Sequence, residues 1–283
     1  MGKILDGQGL ADLRAARLKK EVQILKNQGQ VPLFCVINIG ADPASRVYIK
    51  SKKKRADEVG IKQKIYQLPV DETQADLLTL IDRLNFAKQV SGIILQLPVP
   101  RQIDAAKALA RIDPEKDVDC LTPSNVGRLW QGRHFVEPAT ASGIIALLDY
   151  YKIKLAGRNA VIVGRSNIVG KPLAAMLLER DATVSLLHSK TQDLAAHTQE
   201  ADILVSAVGR PNLITANMVK PGAAVIDVGI NRTASGQLVG DVAFAEVREK
   251  AGYLTPVPGG VGPLTVESLM EQVVKLTRRQ NGR

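Results

Sequence analysis

The stretch Val161-Ile-Val-Gly164-Arg165-Ser166-Asn167-Ile168-Val169-Gly170-Lys171-Pro172 constrains this chain more than any other. Its apolar lead-in, Ala160 to Val163, has the unbroken hydrophobicity of a parallel-sheet strand buried on both faces, and Pro172 to Leu178 has the composition of a helix. A glycine turn between such a strand and helix lets backbone N–H groups at the helix start face a phosphate, so the stretch points to a bound dinucleotide. The fit to G-x-G-x-x-G is imperfect, since Ser166 stands for the second glycine and Val169 for the third, with Gly170 one position late. A nucleoside-triphosphate loop fits less well. Five residues separate Gly164 from Gly170, and Pro172 occupies the place of the magnesium-binding hydroxyl.

The next apolar run, Ala182 to Leu187, predicts the second strand of the unit. An NAD site usually ends that strand with an acid that binds the ribose 2′-hydroxyl, but here the chain reads His188-Ser189-Lys190-Thr191. With no carboxylate to repel a 2′-phosphate, and with Arg165, Ser189 and Lys190 available to bind one, NADP is the better electrostatic match. The plainer alternative is a polar loop after a strand.

A chain of 283 residues has room for about two domains, and 45% hydrophobic with 23% charged residues is ordinary for a globular protein. The N-terminus, Met1 to Asp6, lacks an apolar core with a cleavage site, and no run approaches the about 18 apolar residues of a membrane span. A cytoplasmic protein without membrane attachment is expected. Cys35 and Cys120 form neither a metal knuckle nor a C-x-x-C pair, and His134, His188 and His197 lack ligand spacing. Free thiols and no metal are therefore expected. The net charge of +10 and the run Lys50-Ser-Lys-Lys-Lys-Arg55 raise nucleic-acid binding as an alternative. Aromatic residues are only 4% of the chain and do not alternate with the basic ones, so a solvated helix face and an anionic small substrate explain the same charge.

Strand-like runs alternate with helical patterns almost throughout, which predicts two α/β domains with mainly parallel sheets. In the first, helices are expected over 9–28, 43–58, 73–88 and 103–110, with strands over 31–39, 62–67 and 92–97. Asp42-Pro43 is a good helix start, with Asp as N-cap. After Glu137-Pro138 a second series follows: helices over 142–151, 172–180 and 192–199, strands over 160–163, 182–187, 202–207 and 223–228. Thr255 to Pro263 should break any helix or strand, and the amphipathic helix 265–278 should pack back on the first domain.

Tyr48 and Lys52 lie four apart on a predicted helix and so share a face. Crowded by Lys50, Lys53, Lys54 and Arg55, and partly desolvated in a cleft, Lys52 is expected to have a lowered pKa suited to a base near neutrality. Spacing alone would equally allow an exposed tyrosine and a surface lysine. Gln96 falls at the C-terminal end of the strand 92–97, where open parallel sheets place ligand contacts. Asp117 and Asp119 lie in a loop that can reach the same cleft, although either alone is more often a turn or capping residue.

At this point the chain resembles the bifunctional methylenetetrahydrofolate dehydrogenase/cyclohydrolase family, called FolD in bacteria. The likeness runs from Ile4 to Leu276. It rests on Asp42-Pro-Ala-Ser-Arg-Val-Tyr48-Ile-Lys-Ser-Lys52, Gly92-Ile-Ile-Leu-Gln96-Leu-Pro-Val-Pro100 and Asp117-Val-Asp119. Further on come Gly164 to Pro172, Ile226-Asp-Val-Gly-Ile-Asn231 and Pro256-Val-Pro-Gly-Gly-Val-Gly-Pro263. The resemblance implies a folate cleft between a catalytic domain, residues 1–138 completed by a C-terminal helix over 264–283, and a Rossmann-type NADP-binding domain over 139–263. It implies that Lys52 is the catalytic lysine, that Gln96 tunes it, that Tyr48 packs on the folate rings and that Asp119 holds the amino-pyrimidinone edge. Pro258, Gly259, Gly260 and Val261 would border the folate. Gly164, Arg165, Ser166, Ile168, Val169, Gly170, Ser189, Lys190 and Ile230 would contact the cofactor, with Arg165 and Ser189 on its 2′-phosphate. It further implies a homodimer.

Two places depart from the family pattern. Cys120 stands where a glycine usually follows Asp-Val-Asp, and a side chain there would narrow the pocket or shift Asp119. Pro138-Ala139-Thr140-Ala141-Ser142-Gly143 replaces Pro-Cys-Thr-Pro-basic-Gly. The activity implied is NADP-dependent oxidation of 5,10-methylenetetrahydrofolate to 5,10-methenyltetrahydrofolate, followed by hydrolysis to 10-formyltetrahydrofolate. An NADP dehydrogenase of another small substrate is the nearest alternative, and a basic nucleic-acid-binding protein the alternative of a different class.

Overall fold

The unbroken apolar strands find partners on both edges, and the chain forms two units, each around a parallel sheet. In the computed structural model, which describes residues 1–233 and 235–282, the elements in chain order begin with β1 (Lys3–Ile4), α1 (Gly7–Asn27), β2 (Leu33–Ile39), α2 (Pro43–Val59), β3 (Lys62–Leu68) and α3 (Gln74–Phe86). They continue with β4 (Gly92–Leu95), α4 (Ala105–Arg111), α5 (Pro123–Trp130), α6 (Ala139–Tyr150), β5 (Asn159–Val163), α7 (Gly170–Leu178), β6 (Thr183–Leu187), α8 (Leu194–Gln199) and β7 (Ile203–Ser206). The chain closes with β8 (Ala224–Asp227), β9 (Asn231–Arg232), β10 (Leu238–Val239), α9 (Phe244–Lys250), β11 (Tyr253–Leu254) and α10 (Val261–Asn281). Residue 283, the last of the expected C-terminal segment, lies outside the described residues.

One unit comprises Leu13–Ala139 and Val266–Arg283. Its sheet has the order β3-β2-β4, parallel throughout. Because side chains alternate across a strand, β2 feeds two cores. Phe34 and Val36 join Ile94 and the α10 residues Leu269, Met270, Val273 and Val274. Cys35, Ile37 and Ile39 join Ile93, Leu95 and the α3 residues Leu77, Ile81 and Leu84. Edge strand β3 carries Lys62 and Lys64, charges that discourage pairing with another chain. Helix α2 is capped by Asp42, whose carboxylate accepts from Ser45 N at 2.7 Å, and it ends at Gly60 in the left-handed conformation (φ 87°).

The other unit comprises Met1–Asp12 and Thr140–Thr265, around a six-stranded sheet of order β1-β11-β8-β7-β5-β6 whose pairs are all parallel. The sequence grouped residues 1–138; the first twelve instead go with the later segment, because Lys3 and Ile4 pair with Tyr253 and Leu254 at the sheet edge. A strand of two residues carries too little hydrophobic pattern to be read from sequence. The glycine-proline run was expected to exclude helix, yet α10 begins at Val261 with Pro263 in its first turn. The missing proline N–H has no intrahelical acceptor there and costs nothing.

Close packing at Gly92 links this architecture to the loop before α5. Ile93 bridges Asp117 in parallel, and a Cβ on Gly92 would sit 2.1 Å from Val118 Cγ2. Gly92→Ala should therefore push out the 117–119 segment and lower stability by about 1–3 kcal/mol, the usual cost of overpacking. Urea denaturation measures it, and an unchanged midpoint would show that the segment yields freely.

Candidate active site

Helix α2 and the end of β4 bring together the first set of predicted residues. Lys52, half-buried, donates from Nζ to Gln96 Oε1 at 3.2 Å. Gln96 follows β4 directly: its backbone N–H donates to Ile37 O at 2.9 Å, and its Nε2 donates to Leu97 O at 2.9 Å. The second bond fixes the amide so that its oxygen faces the lysine. The strand stops at Leu95, two residues earlier than expected, yet Gln96 keeps its ladder bond to β2. Tyr48 lies one turn before Lys52 on α2, with 37% of its surface exposed, and burial of the remainder pushes its phenol up.

The two loop acids separate cleanly. Asp117 is buried and structural: its carboxylate accepts from Leu121 N (3.1 Å), Thr122 N (2.8 Å) and Asn125 Nδ2 (3.0 Å), organising the start of α5. Asp119 has no such donor among the described residues. Burial pushes its carboxyl up, nearby Lys52 draws it down, and Asp117 pushes it further up. Its carboxylate is half-buried beside Lys52. Cys120 takes a left-handed conformation (φ 57°), which glycine adopts most easily, and its side chain turns into the core, with Sγ 3.5 Å from Val136 O. Far from narrowing the pocket, it is 1% exposed, and burial raises its thiol well above the usual range. Both cysteines are free thiols.

The basic run of α2 is largely answered by its own helix. Lys53 pairs with Asp57, Lys54 with Glu58 at 3.9 Å, and Arg55 with Glu58 at 3.3 Å and Glu267 at 3.5 Å. These carboxylates answer the neighbours of Lys52 on the helix. A cavity of about 730 Å³ elsewhere in this unit, bounded by residues such as Arg17, Phe135 and Lys275, includes none of Tyr48, Lys52, Gln96 or Asp119. Most of its cations are answered by carboxylates, Arg14 by Glu271 at 2.8 Å and Arg278 by Glu21 at 2.9 Å. Among the described residues no group of three His, Cys, Asp or Glu side chains is arranged to hold a metal.

The second set lies at the carboxyl ends of β5 and β6. Gly164 has φ 125°, and a Cβ there would meet Ala207 O at 2.4 Å; one on Gly170 would meet Gly164 O at 1.8 Å. Only glycine fits either place, although the second comes one position later than the common pattern. The substitution of Ser166 for glycine is useful, since its Oγ accepts from Val169 N (3.1 Å) and Gly170 N (3.4 Å) and so closes the turn. Arg165, Ser166 and Ile168 are exposed while Val169 and Gly170 are buried, and α7 starts at Gly170 with the positive end of its dipole at this turn, its first N–H groups held by the turn itself: Lys171 N donates to Ser166 O at 3.1 Å and Leu173 N to Val169 O at 2.9 Å. Because Val163 pairs with Leu187 and Gly164 N donates to Leu187 O at 2.9 Å, Arg165 lies beside the loop His188–Lys190. Ser189 and Lys190 are exposed there, and the loop holds no carboxylate. This cradle fits a nicotinamide dinucleotide with a phosphorylated ribose. Ile230 is exposed just beyond β8.

Pro258, Gly259, Gly260 and Val261 precede or open α10 in the same unit as this cradle. Gly259 O accepts from Gln8 N at 2.9 Å, and a Cβ on Gly7 would stand 1.8 Å from Gly260 O. Gly260 and Val261 are buried, so Pro258 and Gly259 offer the accessible surface. A network that sequence patterns did not single out sits at the ends of β7 and β8. It centres on Asp227 and Asp241, both buried.

Burial pushes the Asp227 carboxyl up to about 6, against backbone N–H donation from Asp241 and Val242. Since an unfolded aspartate titrates near about 4, the native state holds this proton more tightly. The stabilisation is full below about pH 4 and is lost as pH rises through about 6. Relative to Asp227→Asn, the unmodified protein should lose about 2–3 kcal/mol of unfolding free energy between pH 4 and pH 7. Denaturation of both proteins across that range tests it, and parallel curves would refute the shift.

Two family models match the chain: residues 5–119 match the tetrahydrofolate dehydrogenase/cyclohydrolase catalytic domain, and residues 138–281 match the NAD(P)-binding domain of the same family. A bifunctional protein FolD from Lactobacillus delbrueckii subsp. bulgaricus is 66% identical over 282 residues, covering 100% of this chain and 99% of its own. Among solved structures, the bifunctional FolD methylenetetrahydrofolate dehydrogenase/cyclohydrolase of Campylobacter jejuni superposes with a TM-score of 0.97 at 46% identity, covering 99% of both chains. The Trypanosoma brucei enzyme, solved with NADP cofactor and an inhibitor, gives 0.95 at 38% identity, covering 100% of this chain and 99% of its own.

Proposed function

The chain belongs to the tetrahydrofolate dehydrogenase/cyclohydrolase family, and from that premise we propose a role for each residue of its two candidate sites. The protein is an NADP-dependent enzyme that oxidises 5,10-methylenetetrahydrofolate to 5,10-methenyltetrahydrofolate and hydrolyses that product to 10-formyltetrahydrofolate. The unit with Lys52 is the catalytic and folate-binding one, and the unit with Gly164 binds the cofactor. The hydrogen-bonded Lys52–Gln96 pair beside the desolvated Asp119 carries this reading.

Bound NADP supplies the hydride acceptor. Arg165, Ser189 and Lys190 hold the 2′-phosphate through charge-assisted hydrogen bonds, while Gly164, Ser166, Ile168, Val169, Gly170 and Ile230 line the remainder. Asp119 accepts from the amino-pyrimidinone edge of the pterin, and Tyr48 packs on its rings. Pro258 and Gly259 border the folate, and Gly260 and Val261, buried behind them, hold that segment in place. Removing a hydride leaves a cationic methenyl bridge, so oxidation needs alignment and no proton acceptor. Hydrolysis does need one. Water adds to the methenyl carbon and sheds one proton; the bond from that carbon to the ring nitrogen then breaks as the new hydroxyl becomes the formyl carbonyl, and the hydroxyl proton passes to the ring nitrogen. Lys52 relays that proton with its amine held by Gln96.

A homodimer in the cytoplasm completes the proposal, with no role for nucleic acid. Support comes from two buried free thiols, which suit a reducing compartment, and from the carboxylates that answer the α2 lysines. No described helix is long and apolar enough to cross a membrane.

Arg165→Ala should reduce kcat/KM for NADP by about tenfold or more while sparing NAD, given the strength of hydrogen bonds to charged groups. Steady-state rates with both cofactors decide it, and equal use of the two by the unmodified protein would overturn the assignment. Lys52→Met should reduce hydrolysis of methenyltetrahydrofolate by about 10²–10⁴-fold, with a smaller loss of NADPH formation. Stopped-flow hydrolysis at the parent rate would rule out the proton relay, and no methenyl product from the unmodified protein would overturn the function itself.

A further inference from the structure

Two of the loops at the carboxyl ends of the six-stranded sheet are held by one internal carboxylate. Asp241 is 0% exposed. Its Oδ2 accepts from Ser206 Oγ (3.1 Å), Val208 N (2.8 Å) and Gly209 N (3.3 Å), and its Oδ1 accepts from Arg210 N (2.8 Å) and Asn231 Nδ2 (3.1 Å). Three successive backbone N–H groups converging on one anion make a nest, of the kind that proteins offer to bound phosphates. Here the chain fills the nest itself. The loop after β7 is thus ordered before any ligand arrives, and the antiparallel β9–β10 pair returns the chain so that Asp241 can reach it.

The position of that loop bears on the dinucleotide cradle. The sheet order β6-β5-β7 places successive crossovers on opposite sides of β5, so the crevice of this topology opens between the carboxyl ends of β5 and β7. Gly164 forms one side and the loop held by Asp241 the other, and they already touch: a Cβ on Gly164 would meet Ala207 O at 2.4 Å and Val208 Cγ1 at 3.4 Å. The fit extends to the next strand end, where a Cβ on Gly229 would lie 2.1 Å from Asp241 Oδ1. Asp241 in turn is fixed by Asp227, whose Oδ1 accepts from Asp241 N at 2.9 Å and whose Oδ2 accepts from Val242 N at 2.9 Å.

We infer that Asp241 is a positioning residue for the cofactor: its buried carboxylate holds residues 207–210 as a preformed wall of the dinucleotide crevice. The inference rests on the function proposed above. It separates Asp241 from a general structural residue, because hydrolysis of the methenyl compound consumes no nicotinamide and so does not need that wall.

Asp241→Asn keeps the shape and replaces one oxygen by NH₂, which then confronts either Ser206, Val208 and Gly209 or Arg210 and Asn231, donor against donor. Expected is a rise in the Kd for NADP of about tenfold or more by isothermal titration, and faster amide hydrogen exchange over 207–210 in the ligand-free protein. Hydrolysis of methenyltetrahydrofolate should stay within about twofold of the parent. Ser206→Ala removes one donor from the same carboxylate, and Ser206 at 0% exposure cannot touch a cofactor, so about a two- to threefold rise in Kd is expected. An unchanged NADP affinity in folded Asp241→Asn overturns the inference, as does a loss of hydrolysis in step with binding. Should that variant not fold, unchanged affinity and exchange in Ser206→Ala overturn it. Failure of the unmodified protein to bind NADP would count against the proposed function instead, and exchange without cofactor would still judge the hold on the loop.

Discussion

Parallel strands cannot be joined by tight turns, so each must be followed by a crossover, and every strand then delivers its carboxyl end to the same side of the sheet. Both units obey this constraint, and the candidate chemistry follows from it. Gln96 succeeds β4, and α2 with Tyr48 and Lys52 begins shortly after β2. Gly164, Ser189, Val208 and Ile230 succeed β5, β6, β7 and β8. Residues far apart in sequence become neighbours because the strands before them share a direction and a register. In the six-stranded sheet, the pairing of Val163 with both Leu187 and Ser206 sets side by side the three strand ends that surround the cradle.

What could be read from sequence was whatever depends on local periodicity or local backbone chemistry. The run Leu33 to Ile39 is a strand because its residues are buried on both faces, and Asp42 announces the helix after it. The glycines of the 164–170 turn are legible because no other residue fits them. Thr122-Pro123 is an equally good helix start for α5, with Thr122 Oγ1 accepting from Asn125 N at 3.3 Å, but a helix of eight residues carries little periodicity of its own. The pairing of Asp117 with the start of α5, which frees Asp119 for another role, turns on geometry over a few residues that spacing does not encode. The Asp227–Asp241 network lay beyond reach, since it joins Ser206, the 208–210 backbone, Asn231 and Thr255 through side chains whose sequence separations follow no period.

The departures from the family pattern also find physical explanations. Glycine is the easiest residue in the left-handed region, but a cysteine can bear it when its side chain is compensated by burial, as that of Cys120 is among Val118 and Val136. At the start of α6 the substituted residues fall in the first turn, where alanine is as compatible with the helix as proline: Ala139 is 8% exposed and Ala141 0%.

Cys120 and Cys35 also give this unit two internal clocks. A thiol inside a packed core meets a reagent only when its surroundings open, so its labelling rate reports the frequency of that opening. Cys35 sits in the central strand of a three-stranded sheet, and exposing it requires the sheet to part. Cys120 sits in a loop beside Asp119, and a local excursion of that loop suffices. The difference between the two rates therefore separates motion of the loop that carries Asp119 from unfolding of the unit, with no label added to the chain.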